Sequence, residues 1–263
     1  MQSADSLRFS ATRRAGAFTL VEMLVTVACI AVLAALLLPA LISAKERGRR
    51  VACLNNQHEF YLTLVLYAHD HNDRLAPGYS DLGERQVSNP AAKLDEHVVL
   101  LSHRMRTNLI NTAGGNYRFL VCPGLGDPFN RPQGYDSYQD YGVIIGYTYL
   151  GGHSGTPWEP TVTTTNQWIS PQKLTDNPGL PLLADLNAWS VAEGIAFAPH
   201  AARGPVMRQG DSRIRTNLSS EALGAVGGNV TVLDGSAAWK PIWQMKTYRG
   251  SRLFSEDGAF AMW

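Results

Sequence analysis

From Phe18 to Leu38 the chain is apolar at nearly every position, and Glu22 is the only charge in the run. At 1.5 Å per residue these 21 positions make a helix of about 31 Å, enough to cross a hydrocarbon core of ~30 Å. A carboxylate inside that layer costs roughly 2.5 kcal/mol or more, which marks Glu22 as functional. Beyond Pro39 the pattern changes. Val51, Leu54, His58, Tyr61 and Val65 recur at steps of three and four, broadened by Leu62 and Leu66. This predicts a second, amphipathic half that lays its stripe, with His58 packed in it, on a sheet. One helix is expected from Phe18 to Tyr67, bent at Pro39, where the ring removes a hydrogen bond. The polar run His69-Asp70-His71-Asn72-Asp73 ends it.

Downstream the pattern breaks into short pieces separated by glycine and proline. Pro90 to Met105 reads as a helix, with Asn89 as its cap and Leu94, Val98 and Leu101 on one face. Strands are expected at Tyr117–Cys122, Gly142–Leu150, Thr161–Thr165, Leu180–Asp185, Asn229–Leu233 and Ser236–Lys240. The last two flank Asp234-Gly235, the strongest short hairpin signal in the chain. Ala201 to Ser220 is polar, carries arginines and reads as a long loop. Helix followed by mostly local strand pairs gives an α+β class, and no repeat of 20–50 residues points to a solenoid or propeller.

Charge changes this picture little. The 263 residues carry 23 basic and 22 acidic side chains, for a net +1. Without residues 1–17 the balance is 20 against 21, so the body is near neutral and lacks the basic footprint of a nucleic-acid-binding domain. Of the three cysteines, Cys29 lies in the apolar run as a small hydrophobe. Cys53 and Cys122 lie beyond it, where a translocated domain meets an oxidising compartment. A Cys53–Cys122 disulfide and two buried free thiols are both compatible with that placement.

The N-terminal segment closely resembles that of the type IV prepilins and pseudopilins. The resemblance rests on a short leader with Arg13-Arg14, a small residue at 17, and Phe18-Thr19-Leu20-Val21-Glu22 ahead of a long apolar helix. It implies cutting between Ala17 and Phe18 by a prepilin peptidase and N-methylation of Phe18. It also implies pairing of Glu22 with the N-terminal amine of a neighbouring subunit, and Pro39 falls where pilins commonly kink. Ala17 stands where the family usually has glycine, and a cut after Gly16 would move Glu22 by one place. The fold implied is pilin-like: a long N-terminal helix packed on an antiparallel sheet with long irregular loops. Four segments follow: a leader at 1–17, a transmembrane helix at 18–39, its amphipathic continuation at 40–68 and a soluble domain at 69–263. A second likeness is to the large pseudopilin-like proteins named for a His, nine residues, Asp-Gly pattern, found in planctomycete and verrucomicrobial genomes. It is carried by Cys53-Leu54-Asn55-Asn56, Tyr67-Ala68, Cys122-Pro123 and Asn229-Val230 leading to Asp234-Gly235. Gly224 stands where that pattern has histidine, a role His200 could fill instead.

Other chemistries are weaker. Ile42-Ser43-Ala44 loosely mimics a signal-peptidase site, but the apolar core is longer than the usual 7–15 residues of a cleavable signal. Asp70, Asn72 and Asp73 offer oxygen ligands of the kind calcium favours, without the glutamate and glycine of an EF-hand; a solvated loop is the plainer reading. His69 and His71 lack an evident third metal ligand. Gly152-His153-Ser154-Gly155-Thr156 lacks the second glycine of a nucleophile elbow and reads as a turn. The tryptophans read as core or hairpin packing. The expectation is thus a non-enzymatic subunit, without a required cofactor, of a type II secretion or type IV pilus-like filament, with prepilin peptidase and other pseudopilin subunits as partners. It would sit in a bacterial inner membrane, leader cytoplasmic and C-terminal domain periplasmic, although Lys45, Arg47, Arg49 and Arg50 after the span weigh toward the opposite orientation. The alternative is a membrane-anchored ligand-binding protein or enzyme that uses a prepilin signal for export.

Overall fold

A computed structural model describes residues 19–86, 96–127, 129, 131, 135–138, 141–153, 158, 166–191, 194–202, 204–209, 219–251 and 259–263. It divides into two compact units, Met1–Lys45 and Glu46–Trp263.

One helix, α1 (Leu20–Asp70), begins in the first unit and continues into the second, with Pro39 inside it. Its start is sealed by a capping box. Thr19 Oγ1 accepts from the Glu22 N–H at 3.2 Å, while Glu22 Oε2 accepts from the Thr19 N–H at 2.8 Å. In the first unit the described large apolar side chains lie exposed, from Val25 at 51% to Leu20 at 81%. The helix stops where Asn72 and Asp73 adopt left-handed backbones, with φ of 57° and 61°. His71 closes the end by placing Nδ1 2.7 Å from the Tyr67 carbonyl and stacking its ring on Tyr67 at 3.8 Å.

In the second unit the helix packs on an antiparallel sheet, as expected for a pilin-like α+β fold. That sheet has the order β10-β9-β5-β4, from Ala237–Pro241, Gly227–Val232, Pro181–Asp185 and Tyr147–Tyr149. The central strands β5 and β9 are buried on both faces; β5 is mostly apolar, while β9 also buries Asn229 and Thr231, which are hydrogen-bonded inside. Phe60 is fully buried and packs its ring 5.3 Å from Phe119 and 5.7 Å from Tyr149. The Asp234-Gly235 turn joins β9 to β10, with Gly235 at φ 86°. A Cβ there would stand 2.6 Å from the Tyr61 ring of α1, so this turn needs glycine both for its backbone and for the helix beside it.

Two further sheets, of three and five strands, lie in the same unit. One has the order β1-β3-β2 (Leu100–Leu101, Gly142–Ile144 and Tyr135–Tyr138). The other has the order β11-β12-β6-β7-β8 (Thr247–Arg249, Ala259–Met262, Ala188–Ser190, Ile195–Ala198 and Val206–Arg208). Short helices α2 (Asp81–Gln86) and α3 (His103–Thr112) lie on either side of β1 in sequence.

Several expectations need correction. The buried face of α1 is Cys53, Gln57, Phe60, Thr63, Leu64, Tyr67 and Ala68. The anticipated stripe is covered only in part: Leu54, Tyr61 and Val65 are half-buried, but Val51, His58, Leu62 and Leu66 are exposed, and His58 is not a packed histidine. Leu101 belongs to a strand, and α3 starts at His103, where the Ser102 hydroxyl caps the Met105 N–H at 3.0 Å. Residues 87–95 of the expected helix lie outside the described residues. Tyr117–Cys122 contains a 3-10 turn at Arg118–Leu120 instead of a strand. The long loop from Ala201 to Ser220 contains strand β8, while Thr161–Thr165 lies outside the described residues. Trp158, Trp168, Trp189 and Trp263 are buried as expected, but Trp243 is 76% exposed.

Candidate functional site

The N-terminal stretch of α1 is the first candidate. A helix that is apolar on every side is stable only against lipid or other apolar helices. Among the described residues, α1 is the one helix long and apolar enough to cross a membrane, and none of its best 18-residue window is buried. That exposure separates it from the core helix of a soluble protein, whose apolar surface the fold itself covers. Ala17 and Phe18 lie outside the described residues; Glu22 and Pro39 lie within the stretch. The structure adds a partner that reasoning about Glu22 as an assembly residue missed. Both the N–H and the hydroxyl of Thr19 donate to Glu22 Oε2, each at 2.8 Å. The Thr19-x-x-Glu22 spacing carries that signal in the sequence. Glu22 therefore has a local use as a helix cap, to which any contact with another subunit is additional.

Deep in the globular unit is a second cluster, which the sequence named only in parts. Cys53 from α1 and Cys122, just after the 3-10 turn, place their sulfurs 3.0 Å apart. A covalent S–S bond is about 2.05 Å, so at this separation the structure holds the two as free thiols. His200, fully buried, follows strand β7 and meets them: the two sulfurs and an imidazole nitrogen lie within 4.8 Å of one another. Among the described residues these three form the one group of His, Cys, Asp or Glu side chains gathered closely enough to hold a metal ion.

Carboxylates flank the imidazole on both sides. Nδ1 lies 2.9 Å from Glu46 Oε1, and Glu46 also faces Arg50 at 3.3 Å. Nε2 stands 3.3 Å from Asp185 Oδ2, an ion-pair distance without hydrogen-bond alignment. Asp185 is fully buried at the end of β5 and is held by the Asn229 N–H at 2.6 Å, Asn229 Nδ2 at 3.0 Å and Gln57 Nε2 at 2.9 Å. Thr231 donates to Gln57 Oε1 at 2.8 Å and completes the net. Burial works against charge on His200, but Asp185 and Cys53 outweigh it and raise its pKa to about 10. The Cys122 contact, opposed by burial, brings Cys53 down to about 7, while burial first and Cys53 second push Cys122 well up.

The backbone places His200 beside Gly224. The Val226 N–H donates to the His200 carbonyl at 2.8 Å, and the Ala202 N–H donates to the Gly224 carbonyl at 3.2 Å. Asp234 lies elsewhere, as a turn residue: its Oδ1 accepts from the Ser236 N–H at 2.8 Å, and the Ser236 side chain first and that N–H second lower the carboxyl's pKa. Asp70, Asn72 and Asp73 are exposed where α1 ends, and the left-handed backbones of the last two account for Asn and Asp there without a ligand. His71 has Nδ1 committed to the Tyr67 carbonyl. The Gly152-His153 segment is a turn: Gly152 has φ 65°, and a Cβ there would collide with the Ala76 carbonyl.

Residues 12–38 match the family model described as the prokaryotic N-terminal methylation motif. No curated protein and no solved structure matches the chain. The match covers the leader's arginines, the Phe18–Glu22 sequence and the apolar run, and it implies processing by a prepilin peptidase. With its exposed apolar helix as the membrane anchor, that motif indicates a type IV pilin- or pseudopilin-like precursor.

Proposed function

We propose that the chain is a structural, non-enzymatic subunit of a type IV pilus-like filament, of the pseudopilin class that serves type II secretion. The observation that carries this reading is the uncovered apolar half of α1 directly behind a methylation motif. Before assembly the helix rests in the inner membrane with the C-terminal unit outside. The peptidase cuts between Ala17 and Phe18, and the new amine of Phe18 is methylated. Assembly moves the helix from lipid into a bundle of like helices, so the apolar surface is covered in both states and the exchange of environment costs little. Glu22 gives register to that exchange. A buried carboxylate and a buried ammonium each need a partner, and one subunit's Glu22 can neutralise the next subunit's amine. Growth of the filament then moves cargo.

Glu22→Ala tests this, with Glu22→Gln as a control that keeps much of the capping geometry. Membrane insertion and leader cleavage should continue in both, while incorporation into filaments, measured by shearing and immunoblotting, falls at least tenfold. Incorporation at the unsubstituted level in both variants would overturn the reading.

A further inference from the structure

The methylation motif and the filament reading make no use of the cluster around His200, and that cluster has the composition of a metal centre. We propose that Cys53, Cys122 and His200 form a buried Cys2His site for a zinc ion that ties α1 to the globular unit. The inference stands apart from the filament reading, since either can fail alone.

Four observations support it. The sulfurs come from distant parts of the chain, one on α1 and one after the 3-10 turn, and are brought to 3.0 Å. Two thiolates on one tetrahedral zinc, each at ~2.3 Å, stand about 3.8 Å apart, so the site needs to open by less than ~1 Å. The imidazole is oriented as a metal-bound histidine is: Nδ1 faces the Glu46 carboxylate at 2.9 Å, which leaves Nε2 for the ion. Nε2 is fully buried and faces Asp185 without an aligned hydrogen bond, so an ion there would give it a directed partner. Finally, Asp185 Oδ2 lies 3.3 Å from Nε2 and is itself held by Asn229 and Gln57, a fixed oxygen beside the vacant side of the ion. A disulfide would use the two sulfurs but leave Nε2 unexplained.

Thiolate and imidazole together select zinc over magnesium or calcium, which prefer oxygen. Binding is a proton-for-metal exchange: the ion displaces the thiol protons of Cys53 and Cys122 and the Nε2 proton of His200. Two thiolates then balance the two charges of the ion. The Asp185 carboxylate, which gives up the imidazolium as its ion-pair partner, keeps its donors on Asn229 and Gln57 and faces the ion instead, and Glu46 retains Arg50 as its counter-ion. The site is closed within the core, which gives it the character of a structural centre, not of an active site.

The experiment uses the full-length protein in detergent, purified with a non-thiol reductant, stripped with a chelator and titrated with zinc chloride. Elemental analysis should return one zinc per chain. Cobalt substituted for zinc should show thiolate-to-cobalt charge-transfer absorption and intense tetrahedral d–d bands. Cys122→Ser and His200→Gln should abolish both signals. Glu46→Gln should weaken zinc binding by about 10–100-fold while keeping the cobalt spectrum, as expected of a positioning residue. Should Cys122→Ser fail to fold, the cobalt spectrum of the unsubstituted protein decides alone. Absence of zinc uptake by the reduced protein, or retention of full zinc affinity in His200→Gln, would overturn the proposal. A Cys53–Cys122 cross-linked peptide recovered from the native protein without reduction would overturn it equally.

Discussion

Both halves of α1 carry large apolar side chains, the first almost without interruption and the second on part of its surface, and these meet opposite fates. Before Lys45 the large apolar residues stand exposed; after Glu46 a face made of Cys53, Gln57, Phe60, Leu64 and Tyr67 is buried. The second half also buries polar groups. Gln57 and Thr63 are inside while Leu62 and Leu66 are outside. Hydrophobicity alone therefore does not mark which side of a helix is covered. What separates the halves is the location of the partner: for the second it is the chain's own sheet, for the first it lies outside the chain.

Phe60→Ala against Leu36→Ala is the widest test of that contrast. Removing the Phe60 ring leaves a cavity among Phe119 and Tyr149 and should cost the globular unit about 3–5 kcal/mol, read by denaturant unfolding. Leu36→Ala should leave the same transition within about 0.5 kcal/mol, because no described residue covers Leu36, which is 72% exposed. Equal effects would erase the distinction between the halves.

Gln57→Leu keeps the bulk and removes the hydrogen bonds. It strips Asp185 and Thr231 of a buried partner each and should cost about 2–3 kcal/mol, although leucine is the more apolar residue. A stabilised variant would show that the polar net is dispensable.

Acid should act on the globular unit through His97. Burial first, and the charge of His153 second, lower its pKa from 6.5 to about 3, so the folded chain keeps it neutral where an unfolded chain protonates it. The unfolded state then binds the extra proton between those two values. The contribution of His97 is complete above pH 6.5 and falls by up to about 1.4 kcal/mol per unit as pH drops through that window. His97→Gln should flatten this slope in unfolding experiments.

Thr19→Ala removes the capping box and should cost about 1 kcal/mol, confined to the first turn of α1. Hydrogen exchange should quicken at Leu20–Met23, with the unfolding of the globular unit unchanged.

How legible the molecule was follows from how local each signal is. The span and Glu22 could be read because a membrane-length helix is contiguous in sequence. The β9–β10 hairpin could be read because Asp234-Gly235 sits between the strands it joins. Strand β12, Ala259–Met262, escaped notice: it is four residues long, apolar without alternation, and pairs with β6 about seventy positions earlier. The helix expected at Pro90–Met105 was displaced because Leu100 and Leu101 pair with Ile144 and Val143, a tertiary partner that outweighed helical spacing. The site around His200 was visible only as separate residues. Cys53, Cys122, Asp185 and His200 have no common spacing, and nothing short of the fold brings them together.

The sequence by itself determined the anchor, the processing signal and the hairpin, because each depends on neighbours along the chain or on the lipid that any apolar helix meets. The tertiary structure alone decided which face of α1 is buried and which side chains converge at its core. A polar group such as Gln57 or Asp185 can be buried only where distant hydrogen-bond partners are already in place, and those partners exist only once the chain has folded.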